Sequence, residues 1–199
     1  MKTNYLLIDL ENVHPDNLAL VNGVPWKVKV FLGANQTKVN VGMARALQAL
    51  GADAVEYITI EGSGKNALDF HIAYFIGQLA AQDSNAYFHI ISKDTGFDPL
   101  IKYLKSRNIL CQRSSSVADV PLVKLVNSKS LPDKVEAIVA NLTRRKSARP
   151  RRVKTLDSTV KALFQGQLTD AEVTAIREAL VKRGAISIDG EKVGYNLDA

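Results

Sequence analysis

Short apolar runs alternate with longer amphipathic ones over roughly the first 130 residues. Tyr5–Asp9 (YLLID), Val28–Leu32 (VKVFL), Val55–Ile60 (VEYITI) and Tyr87–Ser92 (YFHIIS) are dense in β-branched and aromatic residues. That composition suits a pleated, buried surface and predicts strands. Ile109–Gln112 (ILCQ) is a weaker fifth candidate. Between the strands, apolar residues recur at helical spacing. Over Thr37–Gly51 one face collects Val39, Met43, Leu47 and Leu50, and Gly51 stops the helix. Over Asn66–Gln82 the stripe is Leu68, Ile72, Phe75, Ile76 and Leu79. Over Phe97–Asn108, Pro99 falls in the first turn, where a missing N–H does no harm. Strands alternating with helices of this length predict an α/β fold, with a mainly parallel five-stranded sheet and helices on both faces.

After Asn127 the pattern changes. A helix is predicted from Pro132 or Asp133 into a basic block, and a shorter one over Asp157–Phe164. Thr169 and Glu172 then form a capping-box pattern ahead of the stripe Val173, Ile176, Leu180. Two strand-like runs flank Asp189-Gly190, a hairpin signal. Helix, helix, hairpin is the order of a small winged-helix-like module. The expected division is an α/β domain over 1–131, a helix and basic linker over 132–154, and the module over 155–199.

No apolar stretch is long enough to cross a bilayer. The N-terminal apolar run is too short for a secretion signal and is broken by acids. The single Cys111 cannot form an internal disulfide, so a reducing, cytoplasmic setting is expected and Cys111 reads as an inert buried thiol. The net charge of +6 is unevenly placed. Lys and Arg outnumber Asp and Glu by 13 to 11 over residues 1–131, and by 13 to 9 over residues 132–199. Within the tail, Arg144–Lys154 holds seven cations and no acid. Such a block repels itself and is expected to be extended, either as a solvated linker or until a polyanion joins it. Arg144, Arg145, Lys146, Arg149, Arg151 and Arg152 are its candidates for nucleic-acid contact.

The α/β pattern also gathers acids. In a parallel sheet the carboxyl ends of the strands meet at one edge, where the ligand crevice forms. Asp9 ends the first strand, Asp94 and Asp98 follow the fourth, and Asp69 lies in the first turn of the helix fed by the third. Glu11 and Asn12 sit nearby. Taken singly, Asp9, Asp94 and Asp98 could each cap a turn or helix. Together, like charges in one cleft need a cation or protons to offset them. Hard oxygen donors favour Mg²⁺ or Mn²⁺, which can activate water and offset charge developing on a phosphodiester. Lys65, Asn66 and Lys93 border the same edge, as phosphate contacts or as solvated surface. Thr95 could hydrogen-bond a carboxylate there or cap a turn.

Three blocks in this order, LIDLENV (Leu7–Val13), SGKNALDFHIAYFIG (Ser63–Gly77) and IISKDTGFDPLIKYL (Ile90–Leu104), resemble the PIN-like nucleases, specifically their NYN branch. The resemblance covers about the first 125 residues. It implies a metal-dependent ribonuclease fold, with Asp9, Asp69 and Asp94 as metal ligands, Asp98 as a fourth acid, and Asn12 orienting a ligand or a phosphate. Two departures stand out. Gly96 occupies the place where the family often carries a second acid, and Ala73 or Tyr74 stands where an acid often follows one turn beyond the helix Asp.

Other motifs compete weakly. GSGKNA (Gly62–Ala67) matches a dinucleotide-binding pattern, yet it follows the third strand, and no acid ends the next one. DLEN has Glu11 where an aspartyl-phosphate phosphatase needs a second Asp. His14, His71 and His89 show no metal spacing. The leading expectation is a Mg²⁺- or Mn²⁺-dependent endoribonuclease with RNA as partner, DNA being a second candidate polyanion. The other is a catalytically inactive RNA-binding adaptor on the same fold.

Overall fold

A computed structural model describes residues 3–197 apart from 16, 22–24, 128–129 and 165. The chain forms two compact units, residues 1–123 and 124–199.

The first unit is built on a five-stranded, all-parallel sheet of β1 (Asn4–Asp9), β2 (Trp26–Leu32), β3 (Val55–Thr59), β4 (Tyr87–Ile91) and β5 (Leu110–Ser114). The strand order is β3-β2-β1-β4-β5. The central strand β1 is buried at every position except Tyr5, as expected where helices cover both sheet faces. On one face Leu7, Phe31, Phe88 and Ile90 pack with Leu68, Ile72 and Ile76 of α2 (Ala67–Gln82) and with Phe97, Ile101 and Leu104 of α3 (Phe97–Ser106). By the two-residue alternation of a strand, Leu6 and Ile8 are buried toward the other face.

The order reverses between β1 and β4, so the chain leaves these neighbouring strands in opposite directions and opens a crevice at their carboxyl ends. Register decides what stands there. Ile8 pairs with Ile91 and Asp9 with Phe31. Ser92, one residue past β4, therefore lies beside Asp9.

Helix ends depart from the sequence periodicity. The helix expected over Thr37–Gly51 is confined to α1 (Val41–Gln48). The Asn40 carboxamide accepts the N–H groups of Gly42 at 2.8 Å and Met43 at 3.2 Å, so the helix starts there and Val39 lies outside it. The apolar stripe shortens to Met43 and Leu47.

Helix α4 (Pro121–Asn127) spans the point where the first unit ends and the second begins. In the second unit α5 (Leu131–Arg145), α6 (Val153–Leu163) and α7 (Asp170–Lys182) precede an antiparallel hairpin of β6 (Ile186–Asp189) and β7 (Lys192–Tyr195). The expected capping box at Thr169 and Glu172 is present, and Gly190, at φ 57°, turns the hairpin. The chain division differs from the sequence expectation. Val135, Ile138 and Leu142 of α5 share one core with Leu156, Val160, Val173, Ile176 and Leu180, so residues 132–145 form part of the C-terminal fold rather than a tether. The basic block is not extended either. Arg144 and Arg145 close α5, Lys146–Ala148 make a turn of 3₁₀ helix, and α6 begins at Val153. The apolar stripe of α5 needs a partner, and burying it draws the adjoining cations into the folded unit.

Candidate active site

Asp9 is the anchor of the site. It ends β1 wholly buried, and both carboxylate oxygens are engaged. Oδ1 accepts the Asn12 N–H at 3.2 Å, and Oδ2 accepts the Asn12 carboxamide and the Ser92 hydroxyl, each at 2.7 Å. A buried carboxylate needs such donors, and here they also fix its orientation. The Ser92 oxygen in turn accepts the Asp94 N–H at 3.0 Å. Ser92 thus joins the acid closing β1 to the one following β4. Asp94 Oδ1 accepts the Gly96 N–H at 2.7 Å, closing a tight turn.

Asp69 sits in the first turn of α2. Burial and the neighbouring charges of Asp94, Asp9 and Glu11 push its carboxyl above the usual carboxylate range. Asp9, Asp69, Asp94 and Glu11 therefore belong to one electrostatic neighbourhood. It is not a closed cage, because among the described residues no three His, Cys, Asp or Glu side chains are grouped closely enough to hold a metal ion by themselves.

Asp98 does not join them. Arg113 of β5 grips it through two hydrogen bonds, Nε to Oδ1 at 2.9 Å and Nη2 to Oδ2 at 3.2 Å, and so holds its carboxyl below the ordinary range. A third Arg113 bond reaches the Ser92 carbonyl at 3.2 Å. Arg113 also feels the charge of Asp94, so it borders the acids as a fixed cation.

Lys65, Asn66, Lys93 and Thr95 are exposed on the segments that follow β3 and β4. Asn66 adopts the left-handed conformation, φ 64°, immediately before α2. His71 donates from Nδ1 to the Ala67 carbonyl at 2.7 Å, a structural role within α2. A cavity of about 380 Å³ is lined by Leu10, Glu11, His14, Gly33, Gly62 and Ala67 among others, and of the acids only Glu11 lines it. A Cβ at Gly33 would collide with the Glu11 carboxylate, so only glycine lets Glu11 lie there.

Away from this edge, β4 carries a buried relay. Tyr87 donates to Gln112 at 2.9 Å, Gln112 to Nδ1 of His89 at 2.9 Å, and His89 Nε2 to Asn4 at 3.2 Å. Burial lowers His89 to about 3, so it is a neutral structural residue. Burial likewise pushes the Cys111 thiol up to about 12, which leaves it unreactive.

Of the basic candidates in the second unit, Arg144 and Arg145 turn back on α5, to the Ala140 carbonyl at 3.4 Å and the Asn141 side chain at 2.9 Å. Arg149 Nε donates to the Leu142 carbonyl at 2.9 Å. Lys146, Arg151 and Arg152 are exposed.

Sequence reasoning missed Ser92 and Arg113. Ser92 closes an apolar run, and its role emerges only once the β1–β4 register is known. Arg113 lies on a strand whose place beside β4 no local pattern announces. No helix among the described residues is long and apolar enough to cross a membrane. No curated protein matches the chain. A family model described as PIN domain matches residues 3–114, more than half of the 199-residue chain, over the whole five-stranded sheet and every acid discussed above. The protein belongs to the PIN-domain family.

Proposed function

We propose that the chain is a metal-dependent endoribonuclease of the NYN type, cutting RNA phosphodiesters at Asp9, Asp69 and Asp94. PIN domains are generally nucleases that use Mg²⁺ or Mn²⁺. The observation that supports the reading is the geometry at the switch point of a PIN-domain sheet, where Ser92 links the Asp9 carboxylate closing β1 to Asp94 after β4.

The donors suit a hard cation. They are all oxygen, and their excess negative charge is the kind a divalent ion offsets. Mg²⁺ keeps several waters and binds through one or two carboxylates plus substrate phosphate. Asp9, Asp69 and Asp94 would hold the ion, which when bound supplies an activated water and offsets developing charge. Asn12 and Ser92 keep Asp9 in one orientation. Lys65, Asn66, Lys93 and Thr95 would contact phosphate on the rim, and Arg113 sets a limit to the negative field on the β5 side.

The helices and hairpin of the second unit support a winged-helix-like module that holds nucleic acid for the cleft. Asp9→Asn and Asp94→Asn should each lower Mg²⁺-dependent cleavage of labelled single-stranded RNA by at least about a hundredfold with unchanged circular dichroism. Undiminished cleavage by both variants would overturn the assignment.

A second reading is favoured by particular features. Gly96 in the place of an acid, Asp98 committed to Arg113, and the incomplete ligand group suit a catalytically inactive RNA-binding adaptor. RNA retained in a mobility shift but left uncut in Mg²⁺ and in Mn²⁺ would select it.

A further inference from the structure

The two sides of the C-terminal unit differ in how their charges are used. On the helical side four cations are paired with acids. Arg177 of α7 bonds Asp157, Arg183 bonds Glu136, Lys134 bonds Glu172, and Lys161 bonds Asp170. Helix α7 also opens with the acids Asp170 and Glu172. In a winged-helix-like unit, the helix before the hairpin is the one expected to enter a nucleic-acid groove. Here that helix carries three acids against two cations.

The other side is the reverse. The segment that turns from α5 into α6 lies against β7. Val153 donates to the Glu191 carbonyl at 2.9 Å and Val193 to the Arg151 carbonyl at 3.1 Å, with Arg152 bridged antiparallel to Lys192. This pairing borders an open, shallow pocket of about 610 Å³ lined by Lys146, Arg149, Arg151, Arg152, Lys192 and Tyr195 among others, with no acid among its lining residues. None of these five cations has an ion-pair partner among the described residues. Arg152 and Lys192 stand directly opposite on paired backbone, where like charges destabilise. The Arg149 guanidinium lies 5.6 Å from the centre of the Tyr195 ring, and the Tyr195 hydroxyl donates to the Pro150 carbonyl at 2.5 Å. One cation and one aromatic plane are thereby fixed in the wall. At the rim Lys146 adopts φ 45°, a conformation better suited to glycine, which nonetheless carries a cation there.

We propose that the C-terminal unit binds the sugar-phosphate backbone of single-stranded RNA in this pocket, through Lys146, Arg149, Arg151, Arg152 and Lys192, and not across the exposed face of α7. An anion placed among unpaired cations relieves their repulsion. The chain of phosphates in RNA supplies several such anions in a row, and an aromatic ring stacks on any base. The proposal rests on the reading that the second unit holds nucleic acid, and it assigns that role to one surface.

The test uses the full-length chain and a fluorescein-labelled single-stranded RNA of about 20 nucleotides, followed by anisotropy over a salt series. Arg151→Gln/Arg152→Gln/Lys192→Gln should weaken binding at least about tenfold and flatten the slope of log K against log salt by about 2, since about 0.7 counterions are released per phosphate contact. Lys161→Gln/Lys182→Gln/Arg183→Gln removes the same charge elsewhere in the unit and should leave both quantities near the wild type. Lys146→Gly guards against a folding artefact. It relieves a strained φ while deleting a cation, so it should weaken RNA binding without lowering the melting temperature. Equal losses in the two triples would overturn the pocket and leave the nucleic-acid reading standing. RNA binding undiminished in both triples would overturn the pocket together with the nucleic-acid role of the second unit. Pocket-dependent binding to phosphatidylserine vesicles without binding to RNA would replace this partner with a membrane surface.

Discussion

Asp69 is charged at a cost to the fold. Its carboxyl is pushed up from 3.8 by burial and by three neighbouring acids, so above that range the native state carries a repulsion that the unfolded chain lacks. Asp69→Asn should therefore raise the denaturation midpoint at pH 7 while removing RNA cleavage. The gain should shrink as pH falls toward 3.8, where the wild-type carboxyl is itself protonated. A lower midpoint for the variant at pH 7 would show that Asp69 is structural. His89 works in the opposite sense. Its folded value of about 3 lies below the ordinary 6.5, so stability is complete above pH 6.5 and falls as pH drops toward 3, by about 1.4 kcal/mol per pH unit for one proton. Urea titrations at several pH values should show His89→Gln flattening that fall; an unchanged slope would place the acid sensitivity elsewhere.

At the scale of elements, the junction of β1 and β4 does the positioning. Ser92 donates to Asp9 and accepts from the Asp94 backbone, wholly buried. Ser92→Ala leaves a buried carboxylate oxygen one donor short, a cost of about 1–3 kcal/mol. It should also raise the Mg²⁺ concentration needed for half-maximal cleavage. That second readout separates a positioning residue from a merely structural one. A midpoint lowered without any shift in metal requirement would leave Ser92 only a structural part. This junction also marks where sequence legibility ends. The strands of the first unit, their parallel arrangement and the sheet edge that carries Asp9 and Asp94 follow from local periodicity and the rules of βαβ connection. Register does not, because it depends on side chains far apart in the chain. Ser92 and the Arg113–Asp98 pair therefore stayed hidden, and Asp98 read as one more acid in the cluster. Cap chemistry hides likewise. Asn40 trims α1 by claiming two N–H groups that an apolar stripe cannot foresee.

At the scale of the whole molecule, the chain divides its work between two compact units. Leu7, Phe31 and Ile72 belong to the first and Leu142, Leu156 and Ile176 to the second. Separate cores imply separate cooperative units. The sequence misplaced the boundary because a basic run looks like a tether, whereas the stripe Val135, Ile138, Leu142 just before it commits α5 to the C-terminal core. A chain ending at Asn127 keeps the whole sheet, every acid of the candidate site and α4. It should fold with a single thermal transition and retain metal-dependent cleavage with nearly unchanged kcat. Its KM for RNA should rise at least about tenfold, because the unpaired cations of the second unit no longer contribute phosphate contacts. The sense of the split carries the argument. Binding energy supplied equally to substrate and transition state lowers KM alone, so a tail that only holds RNA cannot change kcat. Loss of kcat with KM preserved would instead make the second unit part of the catalytic centre.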